Sequence, residues 1–209
     1  MTQVDERALL EAWKQGDKRA GGQLIDRYFQ PLYRFFINKV RRGEEAEELV
    51  QRTLSGAVES RDRFRGDASV RTWMFAIARN ILRQWIEVQA RKRGREADLG
   101  SGSLSVADLG MGPSAAFAKR QEQRLMLEAL RRLPLEHQVV LELAYWERFT
   151  AKQIGAVIDA TEANTRNLLR KAKAGLRANL DLLARTKEEL ESTVAGLEDW
   201  AEQLREAWA

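Results

Sequence analysis

Helical periodicity runs through nearly the whole chain, and one stretch interrupts it. Residues 94–118, GREADLGSGSLSVADLGMGPSAAFA, hold five glycines, four serines and one of the three prolines, and sustain no period of 3.6 or 2. Such a composition reads as a flexible linker. As a coil its 25 residues average roughly 25–30 Å end to end, and fully extended they reach about 80–90 Å. The interruption divides the chain into an N-terminal module over 1–93, a smaller one over 119–180 and an extension over 181–209. The expected fold is all-α: two small helical domains, a flexible linker and a C-terminal helical extension.

Residue types narrow the function further. There is no cysteine, which excludes disulfides, thiol nucleophiles and sulfur-bound zinc, and His137 is the one histidine. With no phosphate-cradling loop and no nucleophile–base set, neither an enzyme nor a cofactor or metal is expected. The N-terminus MTQVDERALL carries acids where a signal peptide carries bases, and no apolar run reaches 18 residues. The expectation is a cytoplasmic protein without membrane insertion.

Charge is placed unevenly. The net total is +4, yet residues 61–96 carry +6, residues 150–180 carry +4 and residues 181–209 carry −5. Two basic blocks suit two contacts with a polyanion, and the acidic tail suits a segment that avoids or imitates one.

In the first module, apolar residues from Leu9 to Phe29 support two short helices, with a third from Pro31 to about Val40. A fourth, Glu44 to about Ser60, opens with four acids in five residues, which favours a helix N-terminus. After a loop over 61–70 a long helix begins near Arg71. Trp73, Met74, Ile77, Ile81, Leu82 and Trp85 share one face of it, while Ala76, Arg79, Asn80, Arg83 and Glu87 share the other. That second face is either an ordinary solvated side or a basic surface for nucleic acid with aromatics near enough to stack on unpaired bases.

The second module carries a sharper signal. Two helices, Thr150–Ile158 and one from about Glu162, flank a tight turn at Asp159–Thr161, as in a helix-turn-helix. Arg166, Arg170, Lys173 and Arg177 form one stripe on the second helix, opposite Thr165, Leu168, Leu169, Ala172, Leu176 and Leu180. Like charges in a row repel. A phosphate backbone explains the stripe better than stability does, although a solvated face is the alternative.

Taken together, these segments resemble the extracytoplasmic-function class of bacterial sigma factors. EAEELVQ at 45–51 is similar to the acidic start of that family's clamp-binding helix, and RTWMFAIARN at 71–80 to its −10-reading helix. LRRLPLEHQVVL at 130–141 and the helix-turn-helix at 150–180 resemble its −35-reading region, with Asp159 where the family usually has glycine.

The resemblance implies a promoter-recognition subunit with core RNA polymerase and promoter DNA as partners, and an anti-sigma factor or other regulator as a further one. It implies that Glu47, Glu48 and Gln51 dock on the clamp coiled coil of the largest polymerase subunit. Phe64, Arg65 and Asp67, in the loop before the long helix, would hold a flipped base of the −10 element, with Arg79, Asn80 and Arg83 along the same strand. Glu162, Asn164, Arg166, Asn167, Arg170 and Lys173 would meet the −35 element. The alternative is a stand-alone helix-turn-helix regulator, which leaves 45–51 and 71–80 unexplained.

His137 reads as a partly buried structural residue. In the tail, Leu183, Leu190, Val194, Leu197, Ala201, Leu204 and Trp208 keep heptad spacing, broken at Lys187. The tail either folds back to mask the basic modules, pairs with another chain, or extends the last helix.

Overall fold

Asp5 and Asp17 each begin a helix by accepting backbone N–H groups that the first turn leaves unpaired: Asp5 from Arg7, and Asp17 from Arg19 and Ala20, at 2.8–3.1 Å. These helices, α1 (Glu6–Lys14) and α2 (Lys18–Ile37), open the N-terminal module. The computed structural model describes residues 5–92, 105–107 and 121–184, without the side chains of 121–123.

The pattern predicted a helix break at Pro31. Instead α2 runs straight through it. Proline removes one backbone hydrogen bond there, but Tyr28, Leu32, Phe35 and Phe36 on both sides are buried, each burial contributing about 1.5–3 kcal/mol. The apolar stripe therefore outweighs the local break.

α3 (Gly43–Ser60) is tied down at its start by Glu45, which accepts the N–H groups of Arg41 and Arg42 at 2.9 and 3.1 Å. A 3-10 turn at Arg61–Arg63 and a loop lead into α4 (Val70–Lys92).

The second module comprises α5 (Gln121–Arg131), α6 (Leu135–Tyr145), α7 (Ala151–Ile158) and α8 (Glu162–Leu183). Thr150 and Gln153 form a reciprocal cap on α7, and Thr161 caps α8. Between them Asp159 adopts a left-handed conformation, φ 58°, one that costs a non-glycine residue about 1–2 kcal/mol. Gly155 makes the tight turn possible: a Cβ there would lie 2.5 Å from the Ala160 carbonyl oxygen. α8 carries Thr165, Ala172, Leu176 and Leu180 inward, as the sequence pattern predicted.

Of the linker, only Ser105–Ala107 is described. Ser105 pairs with Pro134 in an isolated antiparallel bridge, and Val106 is fully buried. The chain beyond Ala184, with all three readings of the acidic tail, lies outside the described residues.

The two modules do not stand apart. α4 packs against α7, and Phe75 of α4 meets Phe149 edge-on with ring centroids 5.3 Å apart. Phe35 of α2 joins them at 5.6 Å from Phe75, so the apolar core is continuous between the modules.

Candidate nucleic-acid interface

The helix-turn-helix holds its second helix by the inner face of α8, which leaves the outer face to solvent. Asn164, Arg166, Asn167, Arg170 and Lys173 are all exposed, as is Arg177. Arg166 pairs with the half-buried Glu162 one turn earlier, and Arg170 donates to Asn167 at 2.9 Å. The Lys173 ammonium lies 5.2 Å from the centre of the Tyr145 ring. The stripe thus forms an exposed cationic ridge, pre-oriented by short-range contacts, that can neutralise several phosphates of a duplex.

The loop before α4 is organised differently. Phe64 is half-buried, its ring 5.1 Å from that of Trp73, and Lys14 donates to the Phe64 carbonyl at 3.0 Å. Phe64 therefore braces the loop together with Trp73, while Arg65 and Asp67 project into solvent. On one side of the loop is an open cavity of about 910 Å³, lined by the carboxylates Asp5 and Glu6 as well as by Arg7, Arg27, Tyr28, Phe64 and Arg71. Tyr28 donates to Glu6 at 2.6 Å, and burial followed by that bond to Glu6 pushes its phenol up. A cavity of this size, with an aromatic wall and both cations and carboxylates on its rim, has room for one nucleobase.

Along α4, the three residues read as one nucleic-acid face do not share an environment. Asn80 is exposed. Arg83 is half-buried, with its Nε enclosed and without a hydrogen-bond partner. Arg79 is only 9% exposed and its guanidinium donates to Glu136 of α6 at 2.5 Å. On α3, Glu47, Glu48 and Gln51 are all exposed and lie within little more than one turn of each other, opposite the buried Ala46, Leu49 and Val50.

Pattern reading missed a polar cluster where the modules meet. Glu147, just after α6, accepts from Arg34 of α2 at 3.0 Å and from Arg71 of α4 at 2.6 Å. The Arg71 guanidinium also lies 4.7 Å from the Phe149 ring centre. Deeper in, the fully enclosed Lys39 pairs with Glu142 of α6, which also accepts from Asn38 at 3.1 Å and Gln138 at 2.8 Å. Arg131 of α5 donates back to Asn38 at 3.1 Å. Burial pushes the Lys39 ammonium down and the Glu142 carboxyl up, each opposed by the other's charge. Burial likewise pushes Arg131 down to about 10. The available signal was charge inside apolar runs: Lys39 in FFINKV and Glu142 in VVLELAYW.

His137 is half-buried as expected. Burial first, then Lys171, hold its imidazole below the ordinary value, against the pull of Glu136. Among the described residues there is no cluster suited to a metal ion and no helix long and apolar enough to cross a membrane.

One helical chain thus carries an exposed cationic stripe on α8 and, elsewhere, an acid-tipped helix and an aromatic-braced loop. Residues 24–92 match sigma-70 region 2, and residues 129–178 match sigma-70 region 4. The RNA polymerase sigma-H factor of Pseudomonas aeruginosa is 22% identical over 88% of this chain and 98% of its own length. The extracytoplasmic-function sigma factor SigX of Bacillus subtilis is 25% identical over 80% of this chain and 85% of its own. Among solved structures, CnrH in complex with the cytosolic domain of CnrY shares the fold, with a TM-score of 0.63, 22% identity and coverage of 86% of this chain and 99% of that one. The sigma factor RpoE of Bartonella quintana, in complex with the anti-sigma factor NepR, does so with a TM-score of 0.57, 20% identity and coverage of 77% and 96%. The chain belongs to the sigma-70 family and, within it, to the extracytoplasmic-function sigma factors.

Proposed function

We propose that this sigma factor works in the cytoplasm by binding alone, without catalysis, and brings core RNA polymerase to promoters through four separate surfaces. The domain boundaries are those of the sequence: 1–93 binds polymerase and the −10 element, 119–180 binds the −35 element, and 94–118 joins them. Glu47, Glu48 and Gln51 form the acidic docking edge for the polymerase clamp. Arg65, Asp67 and the cavity beside Phe64 receive a base taken out of the stack, which costs a few kcal/mol and is repaid by stacking and polar contacts. Arg79, Asn80 and Arg83 line the continuing strand. Glu162, Asn164, Arg166, Asn167, Arg170 and Lys173 meet the −35 duplex, where a good bidentate base contact is worth about 1–3 kcal/mol.

The observation that carries this reading is the pairing on one chain of region 2 and region 4 matches with an exposed cationic stripe on α8. A stand-alone regulator would use the stripe but leave the acidic edge of α3 without a purpose. The test mixes the purified chain with core RNA polymerase and scores promoter-specific initiation. Initiation supports the reading. DNA binding without polymerase co-elution overturns it in favour of a regulator, and co-elution without initiation overturns it in favour of an adaptor. Within the initiating complex, Arg79→Ala and Asn80→Ala impair strand opening about tenfold more than duplex binding, and equal losses in both assays overturn their assignment.

A further inference from the structure

Arg65 projects into solvent from a stretch of backbone that α1 touches on both sides of it. On one side the Lys14 ammonium donates to the Phe64 carbonyl at 3.0 Å and lies 5.7 Å from the centre of the Phe64 ring. On the other side the Arg7 guanidinium covers Gly66, where a Cβ would lie 3.0 Å from it. Gly66 sits in the left-handed region, at φ 83°. Arg7 and Lys14 are two helical turns apart and so share one face of α1. Further back along the loop, the Arg61 guanidinium lies 5.5 Å from the centre of the Trp13 ring. α1 thus runs beside the segment from Arg61 to Gly66 as a splint.

The splint is itself fixed. Leu10 and Trp13 are buried where α1 packs on α2. The Trp13 ring lies so close over Gly21 that no Cβ fits there, and Tyr28 of α2 donates to Glu6 at 2.6 Å.

We propose that Lys14 is a positioning residue for the −10 loop. By holding the Phe64 carbonyl it sets the direction from which Arg65 and Asp67 meet a flipped base, and so the base preference of the loop. Lys14 acts through the loop and not on the base. The proposal rests on the reading of residues 64–67 as the −10 contact.

Planarity of the peptide unit makes one bond sufficient. The Phe64 carbonyl and the Arg65 N–H belong to one rigid plane, so a donor on the oxygen orients both. Trp73 holds the Phe64 ring from α4, which leaves the carbonyl as the freer end of that residue. Without Lys14 the plane can turn, because Gly66 tolerates a wide range of backbone angles. The bond is charge-assisted and sheltered, since the Lys14 side chain is only 19% exposed. Glu11, one turn earlier, accepts from the same ammonium at 3.0 Å and limits the rotamers it can take. A loop held in one shape discriminates, because a wrong base leaves its polar groups unpaired. A loop free to readjust accepts several bases.

The test assembles the full-length chain with core RNA polymerase and selects from a 12-nucleotide single-stranded DNA pool randomised at six positions. The parent enriches one base at one position, and Arg65→Ala and Asp67→Ala each reduce that preference. Lys14→Met lowers it about tenfold, while affinity for the unselected pool falls by about threefold or less. Lys14→Arg keeps a charged donor and retains most of the preference. Lys18→Met removes the same charge at the exposed start of α2 and leaves the preference unchanged. In the chain alone, amide hydrogen exchange over residues 64–69 quickens about tenfold in Lys14→Met and stays at the parent rate in Lys18→Met.

An unchanged urea midpoint shows that Lys14→Met is folded; if it is not, Lys14→Gln, which shortens the donor, gives a smaller loss in the same direction. A parent without base preference, or loop variants that leave it intact, overturn the −10 reading and the positioning role with it. Loss in the loop variants but not in Lys14→Met overturns the positioning role alone. So does Lys14→Met weakening every base alike, the mark of a phosphate contact, or an equal effect of Lys18→Met.

Discussion

Lys39 and Glu142 form an ion pair between the two modules with both side chains essentially removed from solvent. Burying two charges is compensated only when the surrounding groups complete the hydrogen bonding, and here Asn38 and Gln138 do so for the carboxylate while the Phe35 carbonyl does so for the ammonium. The Phe35 ring adds a cation–π contact at 4.1 Å. Removing one partner is expected to cost about 3–5 kcal/mol unless the structure yields.

Lys39→Met should therefore lower the urea midpoint of the full chain clearly, and Lys39→Met/Glu142→Leu should recover much of the loss. A double-mutant cycle over the parent, Lys39→Met, Glu142→Leu and the double variant measures the coupling, expected at about 2–3 kcal/mol. Additive single effects would show that the pair contributes nothing of its own.

The turn of the helix-turn-helix makes an opposed pair of predictions. Gly155→Ala forces a methyl group against the Ala160 carbonyl and should destabilise the second module by about 1–3 kcal/mol, with loss of −35 duplex binding. Asp159→Gly relieves the left-handed backbone and should stabilise it by about 0.5–1 kcal/mol, with DNA binding intact. Denaturant unfolding and duplex titration check both.

Exposed stripe residues should act on salt dependence. Arg170→Ala and Lys173→Ala each remove one cation from the open ridge of α8 and should reduce the slope of log affinity against log salt by about one, with sequence preference largely kept. Duplex titrations over a range of salt concentrations measure this. An unchanged slope would place these side chains away from phosphate.

The His137 imidazole is held below its ordinary value of 6.5, first by burial and then by Lys171, with Glu136 opposing. The unfolded chain therefore takes up the proton more readily than the folded one. Its contribution to stability is present above pH 6.5 and is lost as pH falls through the depressed folded value. His137→Gln should flatten the fall in unfolding midpoint between about pH 7 and pH 5, and the difference from the parent isolates this group from the carboxylates.

Periodicity alone placed most of the helices, because α3, α7 and α8 each carry one apolar face and a defined start signal. It failed at Pro31, where local backbone preference and long-range burial conflict and burial wins. It also failed at Arg79. The projection put Arg79 on the polar side of α4, yet Phe75, Ala78 and Ile86 are buried too, and beside them Arg79 reaches Glu136 of α6. Contacts between residues a hundred positions apart, such as Arg34 with Glu147, leave no local pattern beyond a charge in an unexpected place. The helix-turn-helix was legible because all of its determinants lie within about thirty residues.

The ion-pair cluster also bears on what the facing surfaces of the two modules would be like if they were separated. An interface built mainly of leucine and phenylalanine would leave two adhesive faces in a crowded compartment. Here Arg34, Lys39, Arg71 and Arg79 on one side and Glu136, Glu142 and Glu147 on the other become hydrated, mutually unlike surfaces around a small aromatic patch. The first module contributes mostly cations to this contact and the second mostly carboxylates, with Arg131 the exception. Were the modules to part, those hydrated charges would offer other copies of the chain less to adhere to than an apolar face of the same size.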